Sequence, residues 1–123
     1  MKTIETNLAP EAIGPYSQAV EKAGHVFISG QLPLNPNTMK LEIGIKNQTE
    51  QVLENIQSIL HASDLSLSDV VKNTIYVTSF TEVEVVNEVY NHFFGSSKPA
   101  RAMVGVKQLP KDALIEIESI AIR

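Results

Sequence analysis

Apolar residues recur at helical spacing from Ile45 to about Ala62, where Ile45, Val52, Ile56, Ile59 and Leu60 share a face and Lys46, Glu50 and Glu54 lie elsewhere. This predicts an amphipathic helix covering a sheet. A second helix is predicted over residues 81–94, with Val83, Val86, Tyr90 and Phe94 as its stripe and Thr81 and Glu84 at capping-box spacing. Asn87 falls inside that stripe, so its amide is expected to be buried and bonded, most simply to a backbone group.

Strands are predicted over residues 25–31, 73–78, 100–107 and 114–122, with shorter ones over 17–22 and near Leu34. That order reads as α+β. Pro33, Pro36, Pro99 and Pro110 each end or bend an element, and Leu109-Pro110-Lys111-Asp112 reads as the turn joining the last two strands. Those strands are expected to form an antiparallel hairpin, with Arg101 and Glu116 on neighbouring strands.

The last strand is apolar on both faces. Ile115 and Ile117 point one way, while Leu114, Ile120 and Ile122 point the other with Glu116 and Glu118. Two helices cover only one face of such a sheet, so the other face needs a partner. In a short chain the simplest partner is another copy of itself, which predicts a closed homo-oligomer with a site at the subunit interface.

At 123 residues the chain is read as one domain, 1–123, long enough to bury about two-thirds of its unfolded surface. There is no Cys, which removes disulfides, thiolate nucleophiles and Cys-ligated metals and fits a reducing compartment. The N-terminal residues lack an apolar leader core, and no run approaches the roughly 18 apolar residues of a membrane span, so a cytoplasmic protein without a membrane partner is expected. A net charge of −4 with scattered lysines argues against nucleic acid as a partner.

Against that background Arg101 stands out. It is one of two arginines, the other being the terminal Arg123, and it interrupts the apolar run Pro99-Ala100-Arg101-Ala102-Met103-Val104. A planar, permanently charged fork suits a carboxylate. Glu116 and Glu118 repeat the anomaly with opposite sign among β-branched residues. Arg101 and Glu116 are therefore either a structural ion pair or two parts of a site. Gly14-Pro15 should hold Tyr16 in a rigid turn, and Gly30 after Ser29 leaves room for a ligand or another backbone. Ser29 has no partner that would mark it as a nucleophile. His25, His61 and His92 lie on separate elements without ligand spacing and read as surface or core residues.

Five segments, Ile13-Gly14-Pro15-Tyr16-Ser17-Gln18, Ser29-Gly30-Gln31-Leu32-Pro33, Asn87-Glu88-Val89-Tyr90, Pro99-Ala100-Arg101 and the stretch from Leu109 through Glu118, closely resemble the RidA (YjgF) family in order along nearly the whole chain. They are most similar to its RidA subfamily. The resemblance implies a chorismate-mutase-like α+β fold, with a mixed sheet of about six strands and two helices on one face. It also implies a homotrimer with sites in the clefts between subunits. The implied activity is hydrolysis of 2-imino acids such as 2-iminobutanoate and 2-iminopropanoate, and their enamine tautomers, to 2-keto acids and ammonia. No cofactor or metal is implied. By the same resemblance Arg101 clamps the substrate carboxylate, Glu116 positions or activates water, and Tyr16, Ser29, Gly30, Asn87 and Met103 line the pocket.

One departure follows the arginine. The family usually reads Pro-Ala-Arg-Ser-Cys-Val, whereas this chain has Ala102 and Met103. Met103 still supplies its backbone groups, but no thiol chemistry is possible there, and a longer, softer side chain could reshape substrate preference. Two other functions come from different classes. One is a small-carboxylate-binding regulatory module without catalysis. The other is the endoribonuclease or translation-inhibitor activity ascribed to some family members, against which the acidic charge counts.

Overall fold

The computed structural model describes residues 1–123, in which six strands form one mixed sheet in the order β1-β2-β3-β6-β4-β5. The strands are β1 (Lys2–Ile4), β2 (Ala19–Lys22), β3 (His25–Gln31), β4 (Val70–Val77), β5 (Ala100–Gly105) and β6 (Ile115–Ile122). Two helices, α1 (Ile45–Ala62) and α2 (Val83–Phe94), cross between them. The first three strands run as an antiparallel meander. β6 then inserts antiparallel between β3 and β4, and β5 lies parallel to β4 on its outer side.

The expected hairpin of the last two strands does not form, because β4 separates β5 from β6. A strand, a crossover helix and a parallel strand make one unit, so α2 carries the chain from β4 to a parallel β5. β6 takes the other side of β4. Pro110–Asp112 does make a tight turn before β6, with Lys111 and Asp112 both at positive φ, but it links strands that are not neighbours.

Six strands were expected, and one differs from expectation. Leu34 makes only an isolated bridge with Leu41, and the Leu32 and Leu34 carbonyls accept from the buried Asn55 amide of α1 at 3.2 and 3.0 Å. The sixth strand is β1, a short edge strand. α2 starts at Val83, and the expected capping box is absent. Glu82 is the cap and makes no side-chain bond, while Thr81 Oγ1 accepts from the Ser79 hydroxyl.

Both helices lie on one face of the sheet. Val52, Leu53, Ile56, Ile59 and Leu60 of α1 and Val86, Val89, Tyr90 and Phe94 of α2 enclose a core with Val26, Ile28, Ile75, Val77, Ile115, Ile117 and Ala121. The opposite face carries Phe27, 45% exposed, and Ile122, 41% exposed, beside the half-buried Ile120. Alternation thus sends Ile115 and Ile117 inward and Glu116, Glu118, Ile120 and Ile122 to an apolar face that no element of the chain covers.

Candidate active site

The sequence-derived candidates fall into two groups. The first gathers around the end of β3. Ser29 Oγ donates to the Ser17 carbonyl at 2.6 Å, and Ser29 N–H donates to the Gln18 carbonyl at 2.9 Å, which ties β3 to the turn bearing Tyr16. Tyr16 N–H closes on the Gly14 carbonyl at 2.8 Å, and its ring stands half exposed over Gly14. Tyr16 and Gly30 line one crevice, while Tyr16 also borders an open groove of about 970 Å³ beside Glu5, Glu11 and Gln18.

Glu116 reaches this group from β6. Its Cδ lies 2.9 Å from where a Cβ on Gly30 would stand, so the missing side chain at Gly30 is the space the carboxyl uses. Burial first, and then the neighbouring Glu118 charge, push the Glu116 pKa above the usual carboxylate range. Glu118 is itself engaged by the Tyr76 hydroxyl. A partly desolvated carboxyl of raised pKa beside an open crevice is suited to taking and returning a proton.

The second group lies on the other face of the sheet. Arg101 is registered opposite Asn73 and Met103 opposite Ile75, both on the helix side of β4. Arg101 is exposed, contrary to the burial its apolar neighbours suggest, because β5 is an edge strand. Its Cζ stands 4.8 Å above the Tyr90 ring centroid. Met103 is half-buried against the core, and Phe80 lies over Gly105 farther along the strand. Asn87, expected to be buried, is exposed one turn before Tyr90. α2 turns Val86, Val89, Tyr90 and Phe94 inward, which leaves position 87 at the rim of the stripe.

Arg101 and Glu116 therefore do not pair within the chain. β4 stands between their strands, and their side chains project from opposite faces. The ion pair that does form joins Arg123 to Glu21 at 2.8 Å, and Arg123 also donates to the Ser63 carbonyl beyond α1 at 2.7 Å. That arginine fastens two ends of the fold, with Glu21 pulled below the usual carboxylate range by its hydrogen bond to Arg123. The three histidines are exposed and far apart in the chain, and no three His, Asp or Glu side chains are grouped as a metal site.

Sequence reasoning missed Gln18. Its buried amide donates to the Thr6, Ala9 and Pro10 carbonyls and accepts from Thr6 N–H, so one side chain shapes the loop around Tyr16. Its signal was a glutamine immediately before the apolar Ala19-Val20. Asn73, a polar residue at an inward position of β4, was also readable as an anomaly.

A family model described as Endoribonuclease L-PSP matches residues 6–123. The chain belongs to the RidA (YjgF) family. A RutC family protein of Pyrococcus horikoshii is 52% identical over 98% of this chain and 96% of its own length. A 2-iminobutanoate/2-iminopropanoate deaminase of Dermatophagoides farinae is 43% identical over 98% of this chain and 95% of its own. The solved structure of Escherichia coli TdcF with bound serine superposes with a TM-score of 0.96 at 42% identity, covering 100% of this chain and 99% of that one. The six-stranded mixed sheet and paired helices of this RidA family member are thus those of solved relatives.

Proposed function

We propose that this protein is a cofactor-independent imine deaminase that hydrolyses 2-imino acids such as 2-iminobutanoate and 2-iminopropanoate, with their enamine tautomers, to 2-keto acids and ammonia. One observation carries this reading. An arginine without an ionic partner and a desolvated carboxyl stand on opposite faces of one chain, so each is free for a ligand and a second copy is needed to bring them together.

In that arrangement Arg101 of one copy clamps the substrate carboxylate through its planar fork. Glu116 of the next copy takes a proton from water as its oxygen adds to the imine carbon. It returns that proton to the carbinolamine nitrogen, and as the C–N bond breaks it takes the remaining hydroxyl proton, so that a protonated imine and water give a carbonyl, ammonia and one proton. Tyr16, Ser29 and Gly30 wall the cleft on the acid's side, while Asn87 and Met103 wall it on the arginine's side. A homotrimer with three such clefts would cover the apolar face bearing Phe27, Ile120 and Ile122. A cytoplasmic setting accords with a chain free of cysteine.

The test is release of ammonia or keto acid from 2-iminopropanoate or 2-iminobutanoate generated in place by a coupled amino-acid-oxidising or dehydratase enzyme. Acceleration over buffer is expected, unchanged by chelators. The serine bound to TdcF favours, as a second reading, a module that holds small carboxylates without turning them over. A folded oligomer that binds such a carboxylate but gives no acceleration would favour that module. A net charge of −4 counts against a ribonuclease.

A further inference from the structure

Beneath Arg101 runs a chain of buried polar groups that spans three elements. Ser119 of β6 donates its hydroxyl to Asn73 Oδ1 at 2.5 Å, and Asn73 of β4 donates Nδ2 to the Tyr90 hydroxyl of α2 at 2.9 Å. Asn73 is fully buried and Ser119 nearly so. The strand register explains the alignment, because Asn73 is paired with Ser119 on one side and with Arg101 on the other. Tyr90 is fixed from a second direction by Phe94, whose ring centroid lies 5.0 Å away.

An apolar core has no need of this chain. Two buried polar side chains in the middle of a sheet stabilise nothing unless each finds its partner, and here the partners end at one phenol. The ring of that phenol lies under the guanidinium at 4.8 Å, within the range of a cation–π contact. Stacking holds an arginine by its face, so it restricts a flexible side chain without consuming any of the in-plane N–H donors.

We propose that Tyr90 is the positioning residue of Arg101, with Asn73 and Ser119 as its tether, so that the guanidinium is presented to a ligand carboxylate with its fork already aligned. This rests on the reading of Arg101 as a carboxylate clamp. Tyr90 touches no reacting atom, and its contribution is preorganisation, which lowers the ordering cost of binding.

Two arginines give two Nε–H resonances in a nitrogen–proton spectrum, which makes the test direct. In the wild-type protein the Arg101 resonance should be displaced upfield by the ring current of Tyr90, while that of Arg123, bonded to Glu21, should not. An undisplaced Arg101 resonance overturns the proposal without any variant. Tyr90→Leu should return the Arg101 resonance to its solvent-exposed position and leave Arg123 unmoved. It should also weaken 2-oxobutanoate binding and raise KM about two- to thirtyfold, with a smaller change in kcat. Tyr90→Phe keeps the ring but removes the hydroxyl that Asn73 holds, so the displacement and the affinity should fall between those of the wild type and Tyr90→Leu, and wild-type values for both would overturn the tether's part. Arg101→Ala is the control. If it binds 2-oxobutanoate as the wild type does, the clamp reading falls and the proposal with it. If it loses the ligand while Tyr90→Leu does not, only the positioning role of Tyr90 is overturned.

Discussion

Glu116 occupies the space that a side chain on Gly30 would fill, its Cδ passing 2.9 Å from the position of the absent Cβ. The two residues sit on adjacent strands of the sheet, so the glycine sets where the acid can lie. Gly30→Ala should push the carboxyl aside rather than distort the backbone, because the atom in the way is the end of a flexible chain. The expected result is a melting temperature close to wild type with a loss of turnover of up to about a hundredfold, the cost of misplacing a reacting group by roughly an ångström. Melting and turnover falling together would show instead that the glycine is there for packing.

Arg101 has no ionic partner in the chain and is exposed, so its loss should leave the fold intact. Arg101→Ala should lower kcat/KM about ten- to a hundredfold, the equivalent of roughly 1.5–3 kcal/mol of charge-assisted bonding. Arg101→Lys should rescue little, since a point charge cannot reproduce the fork. The check is turnover beside thermal denaturation, and a purely structural arginine would give the opposite pattern.

The raised pKa of Glu116 means that the folded protein holds its proton at a higher pH than the unfolded chain does. Ionisation at this position therefore costs stability as pH rises from the ordinary carboxylate value to the raised one. Glu116→Gln should melt at or above the wild-type temperature at neutral pH, with the difference shrinking as pH falls from the raised value toward the ordinary carboxylate value and gone below it. The same variant should be inactive. Melting well below wild type at pH 7 would mean that the charged acid supports the fold.

Because the arginine and the acid project from opposite faces, each cleft in a closed assembly would take one from each of two copies. Arg101→Ala chains, impaired alone, and Glu116→Gln chains, inactive alone, should recover activity when unfolded and refolded together. Random mixing in a trimer restores about a quarter of the clefts. Sedimentation should report a trimer in every sample. No recovery in mixed trimers would argue against a shared cleft.

The helices were legible because a stripe of apolar residues at period 3.6 has few other uses, and α1 matches its expected bounds. The strands were legible for the same reason at period 2. Their neighbours were not, since nothing in the alternation of β5 or β6 says that β4 will stand between them, and the short turn at Pro110–Asp112 is as compatible with a crossing as with a hairpin. β1 was too short to carry a period. Leu34 reads as strand until the Asn55 amide is seen to hold its carbonyl and that of Leu32. Arg101 and Glu116 were visible as charges in apolar runs, whereas Gln18 and Asn73 show locally only as polar residues beside apolar ones, and the distant segments they bond are visible only in the fold.

β6 carries Ser119 on one face, at the foot of the chain of bonds that reaches Tyr90, and Glu116 on the other, three positions earlier. Inserting or deleting one residue between them would reverse every side chain on one side of the change. The acid would enter the core or the tether would leave it. This strand can therefore drift in composition over evolutionary time but not in length, and natural variation within it should consist of substitutions, with insertions and deletions confined to the loops on either side.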